Sequence, residues 1–200
     1  MTEQDKKRIG KFLSLVLRHD PDKIGLELDE NGWANVKELI EKCKKHRFHF
    51  SEEELIEIVE TNDKQRYSFN EKRNKIRANQ GHSINIDLAL SPVEPPEFLY
   101  HGTATRFLSS IMEQGIVKGS RQHVHLSKDK ETATKVGARH GKVVILTIMT
   151  GKMQKDGILF YQSDNGVWLT DYVDVKYIYQ NKLYIFIKNK LYQYVSTIWY

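Results

Sequence analysis

The segment Ser91-Pro-Val-Glu-Pro-Pro-Glu97 holds three of the chain's four prolines. Proline lacks an amide donor and fixes φ, so this stretch can continue neither a helix nor a central strand. The chain must therefore be organised on either side of it. Residues 91–97 read as a linker between a domain over 1–90 and a second over 98–200. A length of 200 residues suffices for two small domains with modest cores.

Before the linker the pattern is helical. Thr2-x-x-Asp5 resembles a capping box, and Ile9, Phe12, Leu13, Val16 and Leu17 follow at helical spacing until Pro21 ends the helix. Asn35 with Glu38 and Ser51 with Glu54 open two further short helices, with apolar positions at Leu39-Ile40 and at Leu55, Ile58 and Val59. Arg66-Tyr-Ser-Phe69, a polar turn at Asn70–Lys75 and the residues from Ile76 onward predict a hairpin. Three helices and a hairpin suggest a winged helix.

After the linker, Phe98-Leu-Tyr100 predicts a short strand and Thr105–Gln114 a helix ended by Gly115. Val124 and Leu126 alternate with polar residues, Asp129–His140 reads as a helix and Lys142–Met149 as a buried strand. Further strand-like runs cover Ile158–Tyr161, Val167–Leu169 and Val175–Tyr179. The expected class is α+β, with the second half mainly sheet.

Charge and cysteine content narrow the function classes. The net charge of +5 favours an anionic partner, and its excess lies toward the C-terminus, where residues 97–200 carry 14 Lys+Arg against 8 Asp+Glu. A second basic run extends from Lys64 to Arg77. The single cysteine, Cys43, excludes an internal disulfide, a zinc ribbon and a redox pair, and suits a reducing compartment. No apolar run approaches the roughly 20 residues of a bilayer span, and MTEQDKKRIG lacks a signal-peptide core, so no membrane partner and a cytoplasmic location are expected.

Four segments could carry chemistry. Arg18-His19 closes the first helix, where cations suit the helix dipole and could equally meet an anion. In Arg121-Gln-His-Val-His-Leu-Ser127, strand alternation puts Arg121, His123, His125 and Ser127 on one face. That face is either a solvated edge or a site for an anion or a ribose. His101-Gly102-Thr103 follows a strand and is either an ordinary turn or a place where a ligand approaches the glycine closely. Arg77, Asn79, Gln80 and His82, just past the hairpin, could contact a nucleic-acid backbone or form a polar exit. No metal is expected, since His123 and His125 lack a completing carboxylate or thiol and Cys43, His46 and His49 lack zinc spacing. GxGxxG and P-loop signatures are absent.

These segments, taken with others, resemble the RNA 2′-phosphotransferase family, the KptA-like, tRNA-splicing type known from fungi with bacterial and archaeal relatives. The resemblance runs from about Lys11 to about Ile178 and rests on Leu17-Arg-His-Asp-Pro21, Gly32-Trp33, Lys64-Gln-Arg-Tyr67 and Ile76-Arg-Ala-Asn-Gln-Gly-His-Ser83 in the first half. In the second half it rests on Tyr100-His-Gly-Thr103, Arg121–Ser127, Val136-Gly-Ala-Arg-His140, Asp156-Gly157 and Ser163-Asp-Asn-Gly-Val-Trp-Leu169.

The resemblance implies an N-terminal winged helix beside an ADP-ribosyltransferase-like mixed-sheet domain, and a catalytic set of Arg18, His19, Arg66 and Arg121. It implies NAD⁺ as a consumed co-substrate, with His101, Gly102, Thr103, His125, Ser127 and Arg139 around it. Arg77, Asn79, Gln80 and His82 would then bind RNA. The implied reaction transfers the RNA 2′-phosphate to the nicotinamide-side ribose, releases nicotinamide, and ends in 2′-OH RNA and ADP-ribose 1″,2″-cyclic phosphate. Arginines drawn from both domains would hold the dianionic phosphate, since guanidinium groups grip its oxygens bidentately. Many ADP-ribosyltransferases place a glutamate near the reacting ribose, whereas 157–169 offers only Asp164. A monomer is expected, and the tail beyond Tyr179 reads as an added hairpin. The alternatives are an ADP-ribosyltransferase that stops after the first step, acting on a nucleic-acid phosphate or a protein, and a non-catalytic RNA- or DNA-binding regulator.

Overall fold

The computed structural model describes residues 1–179; the hairpin expected in the tail lies outside them. Along the chain run α1 (Glu3–Arg18), β1 (Ala34–Asn35), α2 (Val36–Lys45), α3 (Glu52–Glu60), β2 (Tyr67–Phe69), β3 (Lys75–Ala78) and β4 (Leu99–Ala104). Then come α4 (Leu108–Gln114), β5 (Ile116–Val117), β6 (Val124–Leu126), α5 (Lys130–Gly137), β7 (Val143–Ile148) and α6 (Thr150–Lys155). The last strands are β8 (Tyr161–Gln162), β9 (Trp168–Thr170) and β10 (Tyr172–Val173). This is a mixed α/β chain with small sheets and, among the described residues, six α-helices.

The chain forms two compact units. The first comprises Met1–Glu94, Val117–Leu126 and Ile158–Tyr172; the second comprises, among the described residues, Pro95–Ile116, Ser127–Gly157 and 173–179. Two segments that the sequence reading groups with the C-terminal domain, 117–126 and 158–172, thus pack with the N-terminal residues. The join between the first two segments, Glu94 to Pro95, falls inside the proline-rich stretch.

In the first unit each helix begins where a capping side chain stands. Thr2 Oγ1 accepts from the Asp5 amide, Asn35 Oδ1 accepts from the Glu38 amide, and Ser51 and Glu54 form a reciprocal capping box. The buried faces of α1–α3 (Ile9, Leu13, Val16, Leu17, Leu39, Leu55 and Ile58) meet Ala34, Tyr67, Ile76 and Ala78 of a small antiparallel sheet ordered β1-β3-β2. The hairpin turns at Asn70, whose Oδ1 accepts from the Lys75 amide at 2.9 Å. A second antiparallel sheet, β6-β9-β8, pairs Val124 with Thr170 and Tyr161 with Leu169. The residues between β3 and β4 reach this sheet, because the Val93 amide donates to the Phe160 carbonyl at 2.8 Å.

In the second unit β4 and β7 form an antiparallel pair, Leu99 opposite Ile148 through Ala104 opposite Val143, with α5 packed on β4. That packing is unusually close. A methyl on Gly102 would lie 1.7 Å from the Ala133 carbonyl oxygen, and one on Gly137 would lie 2.9 Å from the backbone of Gly102 and Thr103. Glycine at both positions lets helix and strand touch backbone to backbone.

Two local expectations need correction, and one helix was not expected. His101-Gly102-Thr103 lies inside β4 and not beyond its end, because the strand pairs with β7 along its whole length. Val175–Tyr177 is a 3₁₀ turn in place of a strand, capped by Asp174, whose Oδ1 accepts from the Lys176 amide at 2.9 Å. Helix α6 has no sequence signal, since Thr150-Gly151 is a weak start; tertiary bonds hold it, with Thr150 Oγ1 donating to the Pro96 carbonyl and the Gly151 amide to that of Glu97.

Candidate active site

The C-terminal turn of α1 supplies the first two groups. Arg18 closes the helix, and its Nη2 donates to the Arg66 carbonyl at 3.2 Å while the guanidinium stands 5.9 Å from the Tyr67 ring centroid. The Tyr67 hydroxyl donates to the Gly10 carbonyl at 2.6 Å, so the ring is bound back to α1. Burial lowers the proton affinity of Arg18 most, with Arg66 and Arg121 adding to the effect and Tyr67 opposing it. Its Nε is buried, with no hydrogen-bond partner among the described residues. Among the described residues no carboxylate is ion-paired with Arg18 or Arg66.

His19 is exposed, with Nδ1 2.9 Å from Ser83 Oγ, and the Ser83 amide donates to the Arg18 carbonyl. Residues 79–83 therefore wrap the end of the helix. Burial, then the charges of Arg18 and Arg121, hold the His19 imidazole below its ordinary value, so it is neutral near pH 7.

Arg66 is held by amides. Asn62 Oδ1 accepts from both its backbone N–H and its Nη1, each at 3.3 Å. The preceding Gln65 adopts φ +40°, a left-handed conformation that costs energy for a side chain, and the Asn79 Nδ2 secures its carbonyl at 2.7 Å. The Asn79 amide donates to the same Arg66 carbonyl that receives Arg18. From the 163–166 turn, Asn165 Nδ2 donates to the Lys64 carbonyl at 2.9 Å.

Arg121 precedes β6 and donates from Nη1 to His125 Nδ1 at 2.7 Å, which puts the remaining proton of a neutral His125 on Nε2. Gly81, at φ +86°, stands between this pair and Arg18: a methyl on it would lie 3.7 Å from both Arg18 Nη1 and His125 Cε1. The first unit alone thus gathers Arg18, His19, Arg66, Arg121 and His125. The sequence reading drew the arginines from two domains.

The RNA-contact candidates divide. Arg77 is engaged: Nη2 meets Asp164 Oδ2 at 3.0 Å, Nη1 reaches the Leu88 carbonyl at 3.4 Å, and the group stacks 4.6 Å over Trp33. Asn79 and His82 are 3% and 1% exposed, so neither side chain presents a surface to a polymer. Gln80 is half-buried. Among the described residues His82 has no hydrogen-bond partner at either ring nitrogen, and burial, aided by Arg18, His19 and Arg77, pushes its pKa down to about 4.

The candidates for NAD⁺ other than His125 lie in the second unit. His101 and Ser127 are half-buried, Arg139 is exposed and Thr103 is 5% exposed. Ser127 exchanges both backbone hydrogen bonds with Tyr100 of β4, at 2.8 and 2.9 Å. The close approach expected at Gly102 is made by the backbone of α5. Asn62, Ser83 and Asn165 were not singled out from sequence. Only the polar Asn62-Asp-Lys64 run, suited to an Asx turn in which Asn62 Oδ1 accepts from the Lys64 amide, could have signalled the first. No cluster of three or more metal-ligating side chains occurs among the described residues, and none of their helices is long and apolar enough to cross a membrane.

The chain is similar to known proteins over most of its length. The family model for "RNA 2'-phosphotransferase, Tpt1 / KptA family" matches residues 4–172. The chain is 60% identical over 178 residues to a probable RNA 2′-phosphotransferase of Flavobacterium johnsoniae, covering 89% of this chain and 98% of the relative. Proteins of the same description in Fusobacterium nucleatum and Acaryochloris marina are 56% and 55% identical, over 86% and 88% of this chain and 96% and 97% of theirs. The chain belongs to the RNA 2′-phosphotransferase, Tpt1 / KptA family and is a transferase.

Proposed function

We propose that the chain removes a 2′-phosphate from RNA, with NAD⁺ as the acceptor that is consumed. The observation that carries this reading is the gathering of Arg18, Arg66 and Arg121, like charges that repel one another: Arg18 Nη2 donates to the Arg66 carbonyl at 3.2 Å, and Gly81 stands beside both Arg18 Nη1 and the His125 ring that accepts from Arg121. Such mutual repulsion is relieved when a dianionic phosphate enters, and three guanidinium groups can bind its oxygens while staying charged.

In the first step a 2′-phosphate oxygen attacks the nicotinamide-bearing ribose carbon of NAD⁺. The carbon–nitrogen bond breaks, its electron pair stays on the ring, and nicotinamide leaves neutral. Little acid catalysis is needed; the protein's task is alignment. The dianion itself supplies the negative charge next to the reacting ribose, in keeping with a 157–169 segment that has Asp164 and no glutamate. In the second step the ribose 2″-oxygen attacks phosphorus and the bond from phosphorus to the RNA 2′-oxygen breaks. One proton leaves the 2″-hydroxyl and one is delivered to the 2′-oxygen. Arginines stabilise charge on the equatorial oxygens. His19, neutral in the free enzyme, is the group assigned to proton movement.

In this reading His101, Ser127 and Arg139 offer accessible side chains to NAD⁺, and Gly102 and Thr103 contribute through the strand that carries them. The three helices and hairpin are taken as a winged helix, and the remainder as ADP-ribosyltransferase-like. The test is incubation with NAD⁺ and a 2′-phosphorylated oligonucleotide, with every product identified by mass. Nicotinamide, 2′-OH RNA and a cyclic phosphate of ADP-ribose are expected. A stable ADP-ribosylated RNA with no cyclic product would sink the second step, and absence of nicotinamide release would sink the role of NAD⁺.

A further inference from the structure

Next to the arginine cluster, within the first unit, an open groove of about 520 Å³ is lined by Gln65, Tyr67, Phe69, Asn70, Asn79 and Asp164, with Glu60, Glu71 and Arg73 among its other walls. It starts one residue from the phosphate-binding groups. Gln65 and Tyr67 flank Arg66 in the chain. Asn79, itself buried, bounds the groove from behind and donates its amide to the Arg66 carbonyl that also receives Arg18.

The chemistry of the groove differs from that of the cluster. Arg73, its one lining cation among the described residues, is paired with Glu60 at 3.1 Å, and Asp164 is paired with Arg77 at 3.0 Å, which leaves Glu71 as a further acid. A second phosphate is therefore disfavoured inside. A flat neutral group with a hydrogen-bonding edge is suited: Phe69, half-buried and packed against the core, lines the groove with its remaining surface, and amide and carboxylate groups surround it. The exposed Lys64 and Lys72 lie immediately outside in sequence, where a polymer's phosphates could run. The volume falls within the range of pockets that hold ligands of nucleoside size.

We propose that this groove is a nucleobase subsite, holding the base of a nucleotide adjacent to the 2′-phosphorylated one and favouring bases with an exocyclic amino group. It rests on the reading that Arg18, Arg66 and Arg121 take the RNA 2′-phosphate. Phe69 stacks on the base, and the acceptors of Glu71 and Asp164 meet the amino group, as carboxylates do with base amino donors elsewhere. Uracil, which has no amino group, is the disfavoured occupant.

The experiment compares KM for 2′-phosphate removal from a mononucleotide carrying the 2′-phosphate with KM for the same nucleotide extended, on either side, by cytidine, uridine or an abasic residue. One extension should lower KM by about tenfold with cytidine, the scale of stacking one base. Uridine should give less, and the abasic residue should give none. Phe69→Leu should erase the advantage of the extended substrate, and Glu71→Gln should narrow the cytidine–uridine difference. Equal KM for cytidine and abasic extensions on both sides would overturn the proposal, as would Phe69→Leu raising KM equally for minimal and extended substrates. If no 2′-phosphate is removed from any of them, the parent reading fails. The affinity of the same oligonucleotides, measured by fluorescence anisotropy, then decides the groove on the same comparison.

Discussion

Arg77 and Asp164, 87 residues apart in sequence, form a pair whose energetic coupling can be measured directly. The Arg77 side chain is 13% exposed and that of Asp164 43%, so the 3.0 Å contact is screened on the carboxylate side and its coupling should be about 0.5–1 kcal/mol. Arg77→Ala loses more than the pair. It also removes the stack on Trp33, with a contribution of about 0.5–2 kcal/mol, and the packing of the aliphatic stem. A total cost of about 2–3 kcal/mol is expected for Arg77→Ala, against about 1 kcal/mol for Asp164→Ala. The assay is a double-mutant cycle by urea unfolding, followed by tryptophan fluorescence. A coupling indistinguishable from zero would refute the pairing. So would an Arg77→Ala protein of unaltered stability whose RNA binding loses about one unit of salt slope, because that result would make Arg77 a phosphate contact and not a brace.

Arg66→Ala or Arg121→Ala should accumulate ADP-ribosylated RNA, visible by mass, if these groups serve mainly the second step; normal turnover at saturating RNA would contradict it. His82 should make stability pH-dependent. Its folded pKa of about 4 lies below the unfolded value near 6.5, so the unfolded chain binds the proton first as pH falls. Stability should therefore be complete above pH 6.5 and decline toward pH 4, by up to about 3 kcal/mol. His82→Gln should flatten that part of the melting profile, and an equally steep profile in the variant would reject the assignment. Gly102→Ala should cost at least about 3 kcal/mol or prevent folding, because the methyl would fall on the Ala133 carbonyl; a melting temperature close to wild type would show that α5 does not pack there.

Legibility of the fold tracked the range of the interactions involved. The caps at Thr2, Asn35 and Ser51 act over three residues, and their helices begin where the sequence places them. Strand β1 pairs only Ala34 and Asn35 with β3, too short for any alternation to register. Helix α6 depends on carbonyls at Pro96 and Glu97, more than 50 residues away, which no local window contains. The candidate site divided in the same way. Arg18, His19, Arg66 and Arg121 were found through motif resemblance, and the structure gathers them. Asn62, which orients Arg66, was missed because a side chain that supports another carries no chemistry of its own to notice. His82 read as an accessible imidazole, since burial is a property of the folded chain and not of the segment 77–83.

The carbonyl of Arg66 receives both the Asn79 amide and Arg18 Nη2. A peptide oxygen persists through any substitution of its own side chain. Replacing Arg66 by alanine therefore deletes one guanidinium while leaving intact the anchor that aims the other. The two arginines are joined in space through a part of the molecule that point mutation cannot remove, so defects from changing either can be assigned to the lost group itself and not to displacement of its neighbour.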